Sequence, residues 1–336
     1  MISITTVWSL VERVLRYALM ATQHFSTFCY TFWSVSRVKH RARFGWGAAA
    51  LSAMIGLVVI APLLAPFDPY ELSSIELRDA RLPPAFFDAG TMRYLFGTDG
   101  QGRDILSALT HGARSTLLIG LTVTLIAGII GTALGLAASA GGRLIDTIIM
   151  RAADIQLSYP AILVALLLDG VGRTIFAVGS SGLAELHANG SEYETRNVAS
   201  FVIVIVALSM AYWPYFARTI RAAARVEWSK PYVGAAEAIG LRGFEILARY
   251  IWPNVRGQVI VLGTWTLSQA MACEATLSYL GVGLPGNVPS LGVMIRTGQS
   301  GLMMGEWWIA GLPTLVLVVL TVTVASIADR WRIILR

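Results

Sequence analysis

KPYVGAAEAIGLRGFEILARYIWPNV, residues Lys230–Val255, lies between two long apolar runs. The segment is basic, rich in alanine and glycine, and patterned as two short helices. Apolar neighbours on both sides place it at a membrane, and its charges keep it outside the lipid. Ala235, Ala236 and Ala238 give a first helix of high propensity, and Gly240 and Gly243 permit the turn after it. A second helix is expected over Phe244–Ile251, with Phe244, Leu247 and Ile251 on one face. Glu245 and Arg249 are spaced as an i,i+4 pair, and Pro253 is expected to end the helix. A helix–turn–helix lying along a membrane can seat in a groove of a partner. The same pattern also fits an amphipathic loop resting on headgroups.

The rest of the chain supports the membrane reading. Of its 336 residues 55% are hydrophobic and 14% charged, and the mean hydropathy is +0.64. Soluble domains carry roughly a quarter charged residues, so this chain has too little polar surface to cover itself. The apolar runs predict six spans, at 45–66, 115–139, 155–168, 200–220, 258–281 and 307–328. On that map 18 of the 26 Lys and Arg share a side with Lys230–Val255 and both termini. The positive-inside bias makes that side the cytoplasm, so the net charge of +6 reflects topology and not nucleic-acid binding. Cys29 and Cys273 give no disulfide framework, and the scattered His24, His40, His111 and His187 give no metal site.

Residues 1–43 read as a cytoplasmic N-terminal extension and 44–336 as the membrane domain. Met1–Arg16 has Val7, Leu10, Val11, Val14 and Leu15 near one helix face. Glu12, Arg13 and Arg16 interrupt the apolar core that a signal peptide needs, so an interfacial helix is expected, with a dispensable start as the alternative. Phe67–Arg114 holds seven acids and five arginines and reads as a folded outer loop. Within it Gly97 and Gly102 permit tight turns, while Asp99, Arg103 and Asp104 can pair or cap the following helix. No GK[ST] follows these glycines, so a phosphate loop is set aside. Gly120, Gly128, Gly131 and Gly135 offer small-residue spacings for close helix approach. Gly141–Asp154 reads as a short inner loop and Asp169–Ala199 as an outer segment with Asp169 at a span end. Glu274, an acid inside the fifth span, serves either a pathway or gate or a packed, hydrogen-bonded role. Thr266, Ser268 and Met271 fit either a pore face or helix packing.

Three motifs carry a family resemblance. Tyr232, Val233, Ala235, Ala236, Ala238 and Gly240, followed by Ile246, Leu247, Arg249, Ile251, Pro253 and Asn254, resemble the loop signature of bacterial ABC-importer permease subunits. Gly97-Thr-Asp99, Gly102-Arg-Asp104, Ser107 and Gly112-Ala-Arg114 resemble the first outer loop of the dipeptide/oligopeptide/nickel branch. Glu274-Ala-x-Leu-Ser-Tyr-Leu-Gly281, then Gly283, Pro289-Ser and Gly292, is similar to a third family stretch.

The resemblance implies an all-α integral membrane protein with six transmembrane helices, a cytoplasmic coupling-helix loop and a folded outer loop. Residues 44–336 would be the permease domain. Its partners would be a second homologous permease subunit, two cytoplasmic ABC ATPase subunits holding ATP and Mg, an extracytoplasmic solute-binding protein, and membrane lipid. The cargo would be a short peptide or a related small solute such as a nickel chelate or glutathione. Ala235, Ala236, Glu237, Gly240, Leu241, Arg249 and Pro253 would meet an ATPase subunit. This chain has no Walker A sequence, so no ATP site of its own is expected. It departs from the pattern at Gly234, where an acid is usual, at Trp252 in place of leucine, and at Leu291 in place of tryptophan. A self-sufficient secondary transporter would show inverted halves and paired intramembrane charges. A membrane enzyme would gather its acids, histidines or serines near one face.

Overall fold

The computed structural model describes residue 56 and residues 77–87, 90–181 and 191–334. The expected extension 1–43, and the first span 45–66 apart from Gly56, lie outside the described residues. The described residues form nine α-helices, one 3-10 turn and one π-helical turn. In chain order the α-helices are α1 Ile105–Ala140, α2 Gly142–Leu157, α3 Ala161–Ser181, α4 Ser191–Trp228 and α5 Pro231–Ala238. They continue with α6 Gly243–Ile246, α7 Trp252–Tyr279, α8 Leu291–Leu302 and α9 Trp307–Ile334.

Small residues decide how α1 and α4 meet. A Cβ on Gly135 would lie 2.6 Å from the Ala217 carbonyl oxygen, and one on Gly131 would lie 2.5 Å from the Cβ of Phe216. Backbones can approach this closely only where one side lacks a side chain. Around this contact Val123, Ala127, Leu208, Phe216, Ala270 and Leu277 are buried in one apolar core, which α3, α4 and α7 complete. A second core joins the start of α1 to α8 and α9 through Ile105, Leu109, Met271, Leu291 and Leu320. At the head of α9, Phe86, Phe87, Trp307 and Trp308 form a ring cluster with centroids 5.1–6.5 Å apart. Such aromatic groups collect at membrane–water boundaries.

Among the described residues three helices are long and apolar enough to cross a membrane: Ile105–Ala140, Asn197–Trp228 and Trp307–Ala328. They contain the expected spans 115–139, 200–220 and 307–328. A fourth crossing results if Gly142–Leu157 and Ala161–Ile175, bent by 96°, count as one broken span. The expected fifth span falls in α7, which has the length but carries too many polar groups to pass as an apolar crossing.

Three boundaries differ from expectation. Gly141–Asp154 is not a loop, since α2 runs through it, and the run 155–168 straddles the bend between α2 and α3. Pro160 causes the break: it has no N–H to donate, and it disfavours helical geometry at Tyr159. The ladder restarts beyond it, with Leu163 and Val164 donating to the Pro160 carbonyl. Gln156 fixes the corner against α4, donating to the Met210 carbonyl and accepting from Trp213 Nε1 at 3.1 Å. Asp169 does not end its helix. It lies inside α3, fully buried, and accepts from Arg173 Nε at 2.7 Å, one turn on. Its partner sits at i+4 on the same helix, so the pair enters the bundle as one unit.

Candidate functional site

The stretch Lys230–Val255 folds as a compact hairpin joining α4 to α7. Pro231 opens α5 at a position where its missing N–H costs nothing. Helix α5 ends in a glycine cap: Leu241 N–H bonds the Ala236 carbonyl at 3.1 Å, and Gly240 N–H bonds Glu237 at 2.9 Å. This pairing needs a left-handed residue, and Gly240 supplies it with φ +90°. Leu241 then folds back towards Ala236, in an apolar cluster with Ile220, Val233, Ile246, Ile251 and Val255.

The second half of the hairpin differs from the expected helix over Phe244–Ile251. After α6 the chain widens into a π-helical turn, Leu247–Ile251, and Trp252 N–H bonds the Leu247 carbonyl five residues back. Pro253 does not end a helix here. It sits in the first turn of α7, and the wider turn carries the chain past a residue that cannot continue an α-helical ladder. The widening also changes which side chains face inward. Ile246 and Ile251 are buried, whereas Phe244 points out. Glu245 does not pair with Arg249; its carboxylate accepts the Arg242 N–H at 3.1 Å and caps α6.

Polar bonds fix the hairpin to its two long helices. Glu227, near the end of α4, accepts from Lys230 Nζ and from the Tyr232 hydroxyl, both at 2.6 Å. Asn254 Nδ2, at the start of α7, donates to the Tyr232 oxygen at 3.3 Å and to the Tyr250 carbonyl at 2.9 Å. The bond to Glu227 holds the Lys230 ammonium above the ordinary lysine range. Desolvation, followed by the bond to Glu227, pushes the Tyr232 phenol up as well.

The seven residues expected to dock therefore divide. Ala235, Glu237, Gly240, Arg249 and Pro253 are exposed, Leu241 is half-buried, and Ala236 is buried inside the hairpin. Ile239, 75% exposed, lies outside the expected docking set, and Phe244, 79% exposed, faces opposite to expectation. Both flank the Gly240 turn, and their signal was present: two large apolar residues beside a glycine cap with no alternating partner. A Cβ at Gly234, Gly240 or Gly243 would meet nothing within 4 Å, so this surface is open. Nearby, Asp146 of α2 pairs with Arg221 and, at 2.6 Å, with Arg225 of α4, giving this end of the bundle its cluster of arginines.

The opposite end is knotted. Glu274 is fully buried, and its carboxylate accepts from Thr116 Oγ1 at 2.9 Å, Ser278 Oγ at 2.9 Å and Ser290 Oγ at 2.8 Å. Those hydroxyls belong to α1, α7 and the cap of α8, so one carboxylate ties three elements together. Ser290 Oγ in turn accepts from Gly292 N–H at 3.1 Å. Ser278 Oγ accepts from Leu284 N–H at 3.1 Å. Thr266, Ser268 and Met271 are buried in helix packing, Ser268 bonding the Thr321 carbonyl at 2.9 Å.

The outer-loop motif is a set of turns. Gly97 and Gly102 both have φ +80°. Asp99 Oδ1 accepts the N–H groups of Gln101 and Arg103 at 2.8 and 2.9 Å. Asp104 caps α1 by accepting from Ser107 N–H at 2.9 Å and Ser107 Oγ at 2.6 Å. Arg103 packs beside Asp99 along a small cavity shared with Gly286 and Met294. Among the described residues no group of His, Cys, Asp and Glu is placed to hold a metal ion.

A helical membrane bundle with a tethered hairpin at its Arg-rich end defines a class, and sequence comparison assigns it. The chain belongs to the family of binding-protein-dependent transport system inner membrane components, whose model matches residues 129–334. It is a permease subunit of an ATP-binding-cassette importer. The dipeptide transport system permease protein DppC of Haemophilus influenzae is 31% identical over 90% of this chain and 92% of its own. DppC of Escherichia coli K12 is 32% identical over 85% of this chain and 86% of its own. The di/tripeptide permease DppC of Pseudomonas aeruginosa is 30% identical over 86% and 88%. In fold, a chain of the inward-facing MetNI methionine ABC transporter superposes with a TM-score of 0.51 at 19% identity, over 68% of this chain and 96% of that chain.

Proposed function

We infer that this permease carries short peptides, or a related small solute, across the cytoplasmic membrane. It does so beside a second homologous permease subunit, with cargo delivered by an extracytoplasmic solute-binding protein. Two ABC ATPase subunits supply ATP hydrolysis and hold ATP and Mg. In this reading six helices span the membrane, both termini and the Arg-rich end face the cytoplasm, and the hairpin Lys230–Val255 seats in an ATPase subunit. The peptide relatives support the cargo class.

The observation that carries the docking assignment is the exposed pair Ile239 and Phe244 around the Gly240 turn, on a hairpin whose other face, Val233, Ala236, Ile246 and Ile251, is buried in an apolar cluster. Ala235, Glu237, Gly240, Arg249 and Pro253 form the rest of the contact face, while Ala236 and Leu241 hold the hairpin's shape. Because the π-helical turn runs unbroken into α7, a displacement of the hairpin moves α7 without an intervening flexible joint. Closure of the ATPases would then rotate α7 and the helices packed on it as a rigid body. At the far end Glu274 acts as a fixed acid holding the loop after α7, a role its three hydroxyl bonds support better than a place along the path.

The test is co-purification of the full chain with its co-encoded permease and ATPases. The wild type is expected to hold the ATPases. Ile239→Asp with Phe244→Asp is expected to release them while the two permeases stay paired. Retention of the ATPases by this double variant would remove the docking assignment.

A further inference from the structure

Beyond the hairpin, two arginines converge on one glycine-rich loop at the end proposed to face outward. This loop, Gly281–Gly286, follows α7 and also leads away from the Glu274 knot. Arg173 reaches it from α3: Nη2 donates to the Gly283 carbonyl, and Nε donates to buried Asp169 at 2.7 Å. Arg296 reaches it from α8. A Cβ on Gly281 would lie 2.9 Å from Arg296 Nη1, and one on Gly286 would lie 3.5 Å from Nη2. The missing side chain at Gly281 leaves room for that guanidinium, and Gly286 lies in ordinary van der Waals contact with it.

Neither cation is used up by these contacts. Among the described residues Asp169 is the one carboxylate paired with Arg173, whose side chain remains 34% exposed, and no group bonds its Nη1. Arg296 is half-buried and, among the described residues, has no carboxylate within ion-pair distance. Asp99, which lines a small cavity together with Gly286, spends one oxygen on two backbone N–H groups. An arginine with idle donors is costly beside lipid and persists where it meets water and an anion. Arg173 is also pre-organised, because two fixed acceptors hold its plane while the remaining edge stays open.

We propose that Arg173 and Arg296 form a carboxylate subsite at the outer mouth, which receives the C-terminal carboxylate of the transported peptide on release from the binding protein. The site rests on the peptide-permease reading above and adds a residue-level basis for cargo selection within the permease. The two guanidiniums offer the ligand charge-assisted hydrogen bonds.

The test uses the complete transporter in proteoliposomes. The probes are a defined mixture of di- and tripeptides with free C-terminal carboxylates and the same mixture amidated. Loading of each peptide on the binding protein is measured first, so that uptake is compared per loaded binding protein. The wild type is expected to favour the free acids. Arg296→Gln, and Asp169→Asn combined with Arg173→Gln so that no buried charge is left alone, are each expected to lower the acid-to-amide ratio roughly tenfold. Rescue by Arg296→Lys is expected to be partial, since a single ammonium keeps the charge without the fork. An unchanged ratio in both variants overturns the subsite. A uniform fall in uptake of both mixtures also overturns it, by assigning the arginines to docking of the binding protein. Failure of the wild type to take up either mixture removes the peptide reading itself, and the subsite with it.

Discussion

Two turns in this permease use the same backbone device and end in opposite situations. Helix α5 closes on Gly240 and helix α7 on Gly281, each through paired backbone bonds that require a left-handed residue. Around Gly240 the space is open, and Ile239 and Phe244 face away from the protein. Around Gly281 the protein fills its own space: Arg296 lies against the glycine, and the Glu274 knot fixes the chain on both sides of the turn. A turn filled from within is held by the bundle, and a turn left bare with apolar flanks awaits a protein partner.

The largest expected effect comes from cutting the filled end. Glu274→Ala strands three buried hydroxyls, and thermal denaturation in detergent is expected to show a loss of about 3 kcal/mol or more. Next come the paired glycines. Each alanine replacement incurs the left-handed strain of about 1–2 kcal/mol. Gly281→Ala must also displace Arg296, so it is expected to cost the more of the two in the same assay. Equal losses would dissolve the contrast between the turns.

Gly234→Glu is expected to be smaller still and of opposite sign. The site is open, so the new side chain meets no obstacle, and it relieves the roughly 1 kcal/mol helix penalty of glycine. It also places an anion in the first turn of α5, where the helix dipole favours it. The smallest effect is that of pH on the hairpin. Lys230 and Tyr232 both have raised values in the folded protein, so protonation favours the fold. Their contribution is complete below the ordinary lysine and tyrosine ranges and is lost as pH rises through the raised values. Hydrogen exchange in Pro231–Ala238 at increasing alkalinity is expected to speed up before exchange in α1 does.

The long helices were legible because apolar runs of spanning length exceed what the chain's few polar residues can shield from water, and the positions of α1, α4 and α9 follow from that. The hairpin's first helix was legible through its alanines and its glycine cap. Its second half was not, because the π-helical turn that accommodates Pro253 shifts the inward face from Phe244 to Ile246, and periodicity assumes an unbroken helix. The bend at Pro160 hid for the complementary reason: α2 is amphipathic and charged, so it read as a loop. Asp169 read as a boundary residue because its partner, Arg173, is visible only once a turn of helix is drawn beneath it. Of the three hydroxyls around Glu274, Ser278 lies one helical turn on, but Thr116 and Ser290 are too far away in the chain for spacing to connect them.

The most direct measurement of the docking claim is photo-crosslinking in the assembled transporter. A benzophenone amino acid would replace Phe244 or Ile239, and in control chains it would replace buried Ile246 or exposed Ile129 of α1. Adducts with an ATPase subunit at positions 244 and 239, and at neither control, are the predicted result. Adducts with lipid alone at 244 and 239, or equal ATPase labelling from Ile129, would contradict it.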